Sequence, residues 1–283
     1  MDIKTIGIIG AGTMGSGISQ VMALSGFEVI MMDMRDEFVR RGLENIKNGL
    51  NKMLEKAKIT AEEKEKTIAR ISATTRLEDM AKVDFVIEAA SEMAELKLDI
   101  FRKLDVICRK DTILATNTSS IPITRIASAT KRECNIIGMH FMNPAPVMKL
   151  VEIIRGMNTS DETFAAVKGL TSKIGKIPVE SKDRPGFIVN RILMPMLNEA
   201  VFTFMDGAAS AEDIDKAMTL GANQPIGPLA LADLIGLDTV FSIMESIYSE
   251  TKDPKHRPCP LLKRYVDAGD LGRKAGKGFY KYS

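Results

Sequence analysis

The run "IGIIGAGTMGSGIS", residues 6–19, decides the fold. A short β-rich segment ends at Gly10, and Gly10, Gly12 and Gly15 then follow as G-x-G-x-x-G at the opening of a helix expected from about Thr13. Each glycine has its own reason. The first makes a tight turn, the second lets the backbone approach a pyrophosphate, and the third allows close helix packing. The helix start at Thr13 and Met14 then turns unpaired N–H groups and a positive dipole end toward an anion. The pattern is weak alone, but here it sits between a strand and a helix as a dinucleotide site requires. Asp33 closes the next β-rich run, "EVIMMD", where its carboxylate can accept hydrogen bonds from a ribose. That favours NAD over NADP; Arg35, two residues on, is the cation placed to meet a 2′-phosphate instead.

Outward from this start, β-rich runs alternate with helical ones: "KTIGIIG", "FEVIMMD", "VDFVIEA", "DTILATNTS", "NIIGMHF", "KLVEII" and "KIPVES". Alternation of this kind predicts a doubly wound, mostly parallel sheet of Rossmann type with helices on both faces. Two charged segments, "EFVRRGLENIKNGLNKMLEKAK" and "AEEKEKTIARI", interrupt it and read as a helical hairpin inserted at about residues 36–71. Thr60 and Glu63 have capping-box spacing at its hinge. After "KIPVES" the β pattern stops. The remaining segments are Leu-, Met- and Ile-rich with helical period, which predicts a smaller all-α domain over 184–283 after a dinucleotide-binding domain over 1–183. Its first helix, "GFIVNRILMPMLNEAVFTFM", is apolar around much of its circumference and carries Pro195, a kink signal. Ser210 with Asp213, and Gly227 before Pro228, mark further helix starts.

Composition limits the function. The chain has 283 residues, 45% of them hydrophobic, which is enough for a large core, and its net charge of +2 supplies no field for nucleic acid or an acidic membrane. Three scattered cysteines without C-x-x-C argue against a disulfide framework or a zinc knuckle, so no metal is expected and a reducing cytoplasm fits. No apolar run approaches a membrane span, and "MDIKTIGIIGAG" enters a strand at once, without a signal-peptide pattern.

Ligands of such a sheet collect beyond the carboxyl ends of its strands. Asn117, Ser119 and Ser120 end one β-rich run, and "GMHFMNPAP" places His140 and Asn143 at another; Glu152 follows twelve residues after His140 on an expected neighbouring strand. Hydride transfer to a nicotinamide needs a group that takes the alcohol proton, and histidine titrates in the right range. A buried carboxylate beside it fixes the tautomer and stabilises the imidazolium, while hydroxyl and amide donors steady the oxygen. His256, in the Pro-rich polar run "DPKHRPCP", reads as solvated.

The chain resembles the short-chain 3-hydroxyacyl-CoA dehydrogenases in "GIIGAGTMGSGI", "NTSS", "GMHFMNPAPVMKLVEII", "DRPGFIVNRIL", "GANQPIGPLALADLIGLD" and "GRKAGKGFYKY", in that order. The resemblance implies NAD-linked interconversion of a short-chain (S)-3-hydroxyacyl-CoA and its 3-oxoacyl-CoA, with 3-hydroxybutyryl-CoA and acetoacetyl-CoA as the expected pair. It implies His140 as base, Glu152 as its partner, and Ser119, Asn143 and Asn190 around the reacting oxygen and the nicotinamide. It further implies Glu92, Lys97 and Lys274 near the cofactor, Lys52 and Lys56 on the hairpin toward coenzyme A, and a homodimer through the helical domain. Two departures stand out: Met142 replaces a frequent aromatic, and Gly49 sits where some members place a serine that contacts CoA. A free β-hydroxyacid dehydrogenase is the alternative enzyme, although such relatives rely on a lysine. A serine hydrolase lacks its G-x-S-x-G elbow, and a crystallin-like NAD-binding structural protein gains nothing from a chain that keeps these side chains.

Overall fold

The computed structural model describes residues 3–282; Met1, Asp2 and Ser283, the outermost residues of the two expected domains, lie outside the described residues. The chain forms two compact units, one ending at Arg184 and the other beginning at Pro185.

In the first unit, β1 (Thr5–Ile9) leads into α1 (Thr13–Leu24), and β2 (Glu28–Met32) into the helices α2 (Asp36–Glu55) and α3 (Ala61–Ala69). There follow β3 (Ile71–Thr74), β4 (Phe85–Glu88), α4 (Ala94–Ile107), β5 (Ile113–Thr116), α5 (Ile123–Ala127), β6 (Ile136–Phe141), β7 (Leu150–Arg155), α6 (Asp161–Lys173) and β8 (Ile177–Lys182). The strands form one sheet in the order β3-β2-β1-β4-β5-β6-β7-β8. From β1 the chain winds outward one way through β2 and β3, then the other way through β4, β5 and β6. The doubly wound expectation is therefore met, with its switch point between β1 and β4. The pairing of β6 with β7 is antiparallel.

Between β2 and β3 the helical hairpin is not an insertion. It is the crossover that joins two parallel neighbours, because the strand Ile71–Thr74 follows directly after α3. Its helix α2 lies hard against the nucleotide-binding start. A Cβ on Gly42 would come within 2.8 Å of the Ala11 carbonyl oxygen, and one on Gly49 within 2.3 Å of the Gln20 side-chain oxygen. Gly49 is thus a packing glycine between α1 and α2, and a serine there would displace Gln20. Ile46 and Leu50 bury their side chains with Ala11, Met31 and Ile59 between these layers. The expected capping box is present: the Glu63 N–H donates to Thr60 Oγ1 at 3.1 Å, and the Thr60 N–H to Glu63 Oε2 at 2.7 Å.

The second unit is helical: α7 (Val189–Met205, with Pro195 inside it), α8 (Ala211–Gly221), α9 (Pro228–Ile235), α10 (Leu237–Thr251) and α11 (Pro260–Asp267). Ser210 caps α8 through the Asp213 N–H, and Gly227 stands before α9, as their spacing predicts. Leu197, Val201, Leu229, Leu237, Val240 and Met244 are among the residues of its core. No helix among the described residues is long and apolar enough to cross a membrane.

Candidate active site

The glycine-rich turn divides its labour as its spacing predicts. Gly10 adopts φ +99°, and any Cβ there would meet the Ala89 carbonyl oxygen at 2.6 Å. Gly15 lets α1 pass so close that a Cβ would overlap the Gly10 carbonyl. Gly12, the N-cap of α1, has open space where its side chain would be, which leaves room for a phosphate to reach the backbone N–H groups beginning at Thr13 and Met14.

A cavity of about 650 Å³ continues from this turn, lined by Gly10, Gly12, Asp33, Arg41, Arg76 and Ala90 among others. The Asp33 carboxylate is fixed at its wall. It accepts from the Ala11 N–H and from the Met34 N–H, each at 2.7 Å, so its position is set while lone pairs remain for ribose hydroxyls. Arg35 is engaged elsewhere: its guanidinium reaches Glu37 at 3.3 Å and lies over the Phe38 ring. The cations that line the cavity are instead Arg41, Arg76 and Lys103. Turn, open glycine, cavity and carboxylate together fit the adenosine diphosphate half of NAD.

Beyond the end of β4 lies a charged cluster. Lys97, on α4, is 1% exposed; its ammonium donates to Glu88 Oε1 at 2.6 Å and to the Ala90 carbonyl at 3.1 Å, and pairs with Glu92 at 3.3 Å. Glu88 is fully buried and also accepts from the Ala90 N–H and the Thr116 hydroxyl, each at 2.7 Å. Glu92 in turn gathers the loop after β5. One of its oxygens accepts from the Thr118 hydroxyl at 2.6 Å, the Ser120 hydroxyl at 2.8 Å, and the Ser119 and Ser120 N–H groups at 2.8 and 3.0 Å. Burial pushes the Glu92 carboxyl up, but Lys97 and these donors outweigh it and hold it below its ordinary value. Asn117 joins the loop to the next strand, its side-chain oxygen accepting from the Phe141 N–H at 2.8 Å.

On that strand, β6, stands His140. The antiparallel register sets His140 opposite Glu152 of β7, and cross-strand partners share a face. The two side chains meet at 2.7 Å between His140 Nδ1 and Glu152 Oε2, with His140 7% exposed and Glu152 fully buried. A carboxylate at Nδ1 assigns the proton to that nitrogen and makes Nε2 the basic one. Asn143 follows in an exposed loop whose form depends on Lys176: the buried ammonium donates to the Ala145 and Met148 carbonyls, each at 2.7 Å. Burial pulls the Lys176 pKa down.

Lys52 lies in the last turn of α2 and Lys56 at its C-cap, both exposed, and among the described residues neither is in an ion pair. Asn190 begins α7 and Lys274 lies near the end of the helical unit, where its ammonium meets Asp238 Oδ2 at 2.7 Å. His256 corrects the sequence reading. It is 3% exposed, with Nδ1 3.0 Å from the Thr251 hydroxyl, because Asn198 of α7 holds its loop by accepting from the Cys259 N–H at 2.7 Å and donating to the Arg257 carbonyl at 3.0 Å. Glu88 and Lys176 were not singled out from the sequence. A glutamate ending the apolar run "VDFVIEA" was the available signal for the first, whereas Lys176 resembles any strand-flanking lysine.

Comparison with known proteins agrees with this architecture. Residues 5–184 match the model for "3-hydroxyacyl-CoA dehydrogenase, NAD binding domain" and residues 186–282 that for "3-hydroxyacyl-CoA dehydrogenase, C-terminal domain". The chain is 53% identical to the "Probable 3-hydroxybutyryl-CoA dehydrogenase" of Bacillus subtilis over 282 residues, covering 100% of this chain and 98% of the relative. It is 50% identical to the 3-hydroxybutyryl-CoA dehydrogenase of Bradyrhizobium diazoefficiens over 99% of this chain and 96% of the relative. The crystal structure of (S)-3-hydroxybutyryl-CoA dehydrogenase from Ralstonia eutropha superposes with a TM-score of 0.96 at 50% identity, with both chains fully covered.

Proposed function

The chain belongs to the 3-hydroxyacyl-CoA dehydrogenase family, and from that premise we propose that its NAD-dependent reaction interconverts (S)-3-hydroxybutyryl-CoA and acetoacetyl-CoA, with His140 as the proton-exchanging group. The observation that carries the assignment is the buried His140–Glu152 pair at the carboxyl end of β6. Bound NAD would supply the hydride acceptor for oxidation of the carbinol carbon, and NADH the hydride donor for the reverse. His140 Nε2 takes the hydroxyl proton in the first case and gives it to the carbonyl oxygen in the second. Glu152 holds the imidazole by its Nδ1–H and stabilises the imidazolium while the proton resides there.

Ser119 is the hydroxyl proposed to steady the reacting oxygen. Its bond to Glu92 is the longest of that set, at 3.3 Å, so its hydrogen is the least committed. Asn190 and Asn143 are proposed to complete the polar surround of oxygen and nicotinamide, and Lys274 to act at the cofactor, on the family resemblance. Gly10, Gly12, Thr13, Met14, Gly15 and Asp33 bind the adenosine diphosphate half; Glu92, Lys97 and Asn117 shape the floor beneath the nicotinamide half. Lys52 and Lys56, exposed and outside any ion pair among the described residues, are the cations proposed to meet the phosphates of coenzyme A.

We place the protein in the cytoplasm as a homodimer joined by the helical unit. That unit has an apolar cleft lined by Met196, Ala200, Ile214, Ala217, Met218 and Pro228, and light scattering on the purified chain tests the dimer. The reaction itself is tested with NADH and two acceptors. Acetoacetyl-CoA should be reduced rapidly and acetoacetate barely, because remote binding energy positions the reacting carbonyl. Equal turnover of thioester and free acid would defeat the CoA assignment.

A further inference from the structure

Asp33 stands at the end of β2, the glycine turn at the end of β1, and His140 near the end of β6. In the sheet β4 and β5 lie between β1 and β6, so three strand spacings, about 14 Å, separate the pyrophosphate turn from the histidine strand. A dinucleotide with its ribose at Asp33 and its reacting end at His140 therefore crosses the ends of β4 and β5. Glu88 ends β4, and the segment directly after it, Ala89–Ser91, lines the same cavity as the glycine turn.

The charged groups of the cluster beneath that path include the carboxylates of Glu88 and Glu92 and the ammonium of Lys97. Lys97 is shared between Glu88 and Glu92, so one negative charge is left over. The two forms of the cofactor differ at this end, because the nicotinamide ring is cationic when oxidised and neutral when reduced. A fixed negative charge favours the oxidised ring, and low-dielectric surroundings preserve that preference. We infer that Glu88, buried behind Lys97, sets the balance between bound NAD⁺ and NADH by giving this triad its surplus negative charge. Glu88 acts through Lys97 and Glu92 as a positioning and charge-setting residue. The inference rests on NAD being the carrier and on His140 marking the reacting end.

The test measures dissociation constants for NAD⁺ by calorimetry and for NADH by fluorescence. In Glu88→Gln the side-chain oxygen still accepts from the Ala90 N–H and from Lys97, while the amide turns to the Thr116 hydroxyl, which can accept. The shape is kept and the surplus charge removed. The ratio Kd(NAD⁺)/Kd(NADH) should rise roughly tenfold, as expected of one charge acting across about two strand spacings at an effective dielectric of about 20. For a two-electron couple that raises the potential of the bound pair by about 30 mV. The double variant Glu88→Gln with Lys97→Met leaves Glu92 as the single charge, so its ratio should return to within about twofold of the wild type, even if both affinities fall. A purely structural role weakens both nucleotides in proportion and restores nothing.

Should Glu88→Gln not fold, Glu92→Gln removes the same charge from a half-exposed position and should shift the ratio in the same direction. An unchanged ratio in the single variants, or one that fails to return in the double variant, overturns the inference. A wild-type protein that binds neither nucleotide overturns the cofactor reading with it.

Discussion

Both histidines of this chain are buried, His140 in the sheet and His256 in the helical unit, and they differ in the partner that each one faces. His140 meets the buried carboxylate of Glu152. His256 meets a threonine hydroxyl, and burial, with Arg191 and Lys255 nearby, pushes its pKa down. One imidazole faces a carboxylate and the other a neutral hydroxyl. Burial alone thus says little about function; the charge facing the buried group says much more.

The most forceful attempt to break this comparison removes the sheet pair. Glu152→Gln preserves shape but not charge, and kcat should fall by roughly 10² or more with the fold retained, as judged by circular dichroism and thermal melting. His140→Ala should be at least as damaging. A folded variant of either kind with near-full activity would reduce His140 to a packed residue like His256.

A weaker effect is expected at an exposed charge that is in no ion pair among the described residues. Lys56→Ala should raise KM for acetoacetyl-CoA by roughly fivefold with kcat less affected, since one exposed ion pair contributes about 1 kcal/mol. Added salt should weaken wild-type affinity more than that of the variant. An unchanged KM would return Lys56 to the solvated helix end, where a cation is already favourable beside the last carbonyls of α2.

Asp33 is intermediate, held by two backbone N–H groups yet open to a ligand. A 2′-phosphate against this carboxylate should cost on the order of 1 kcal/mol or more, which favours NADH over NADPH by about fivefold or more in kcat/KM. Since Arg35 is occupied by Glu37, a preference for NADPH would direct attention to Arg41 and Arg76 in the cavity wall.

The smallest change in turnover is expected at the second histidine. His256→Gln should leave kcat within about twofold and cost about 1 kcal/mol of stability, the worth of one neutral hydrogen bond. Its pH dependence has a definite sign. A depressed histidine pKa contributes stability above the ordinary value of 6.5 that is lost as pH falls through the lowered folded value. The gap in melting temperature between wild type and variant should therefore narrow below about pH 6.5. A gap that widens on acidification would mean His256 is held protonated.

What the sequence by itself determined is what short-range physics controls. The glycine turn, the helix starts at Thr60, Ser210 and Gly227, and seven of the β-rich runs depend on backbone conformations and neighbours within a few residues. Asp33, Ser119 and His140 could be placed at or beside strand ends, and Glu152 on a strand, for the same reason. Only the tertiary structure decided the rest. The strand Ile71–Thr74 is four residues long with an exposed middle, too short to announce itself, and without it the hairpin passes for an insertion rather than a crossover. The antiparallel turn at β7 sets Glu152 directly against His140, a register that neither strand carries alone. The burial of His256 depends on Asn198, some sixty residues earlier in the chain. Glu88 takes its meaning from Lys97 and Thr116, which reach it from a helix and from the next strand. A side chain's conformation is set by its near neighbours, but its charge partner is chosen by the fold, and electrostatic function follows the partner.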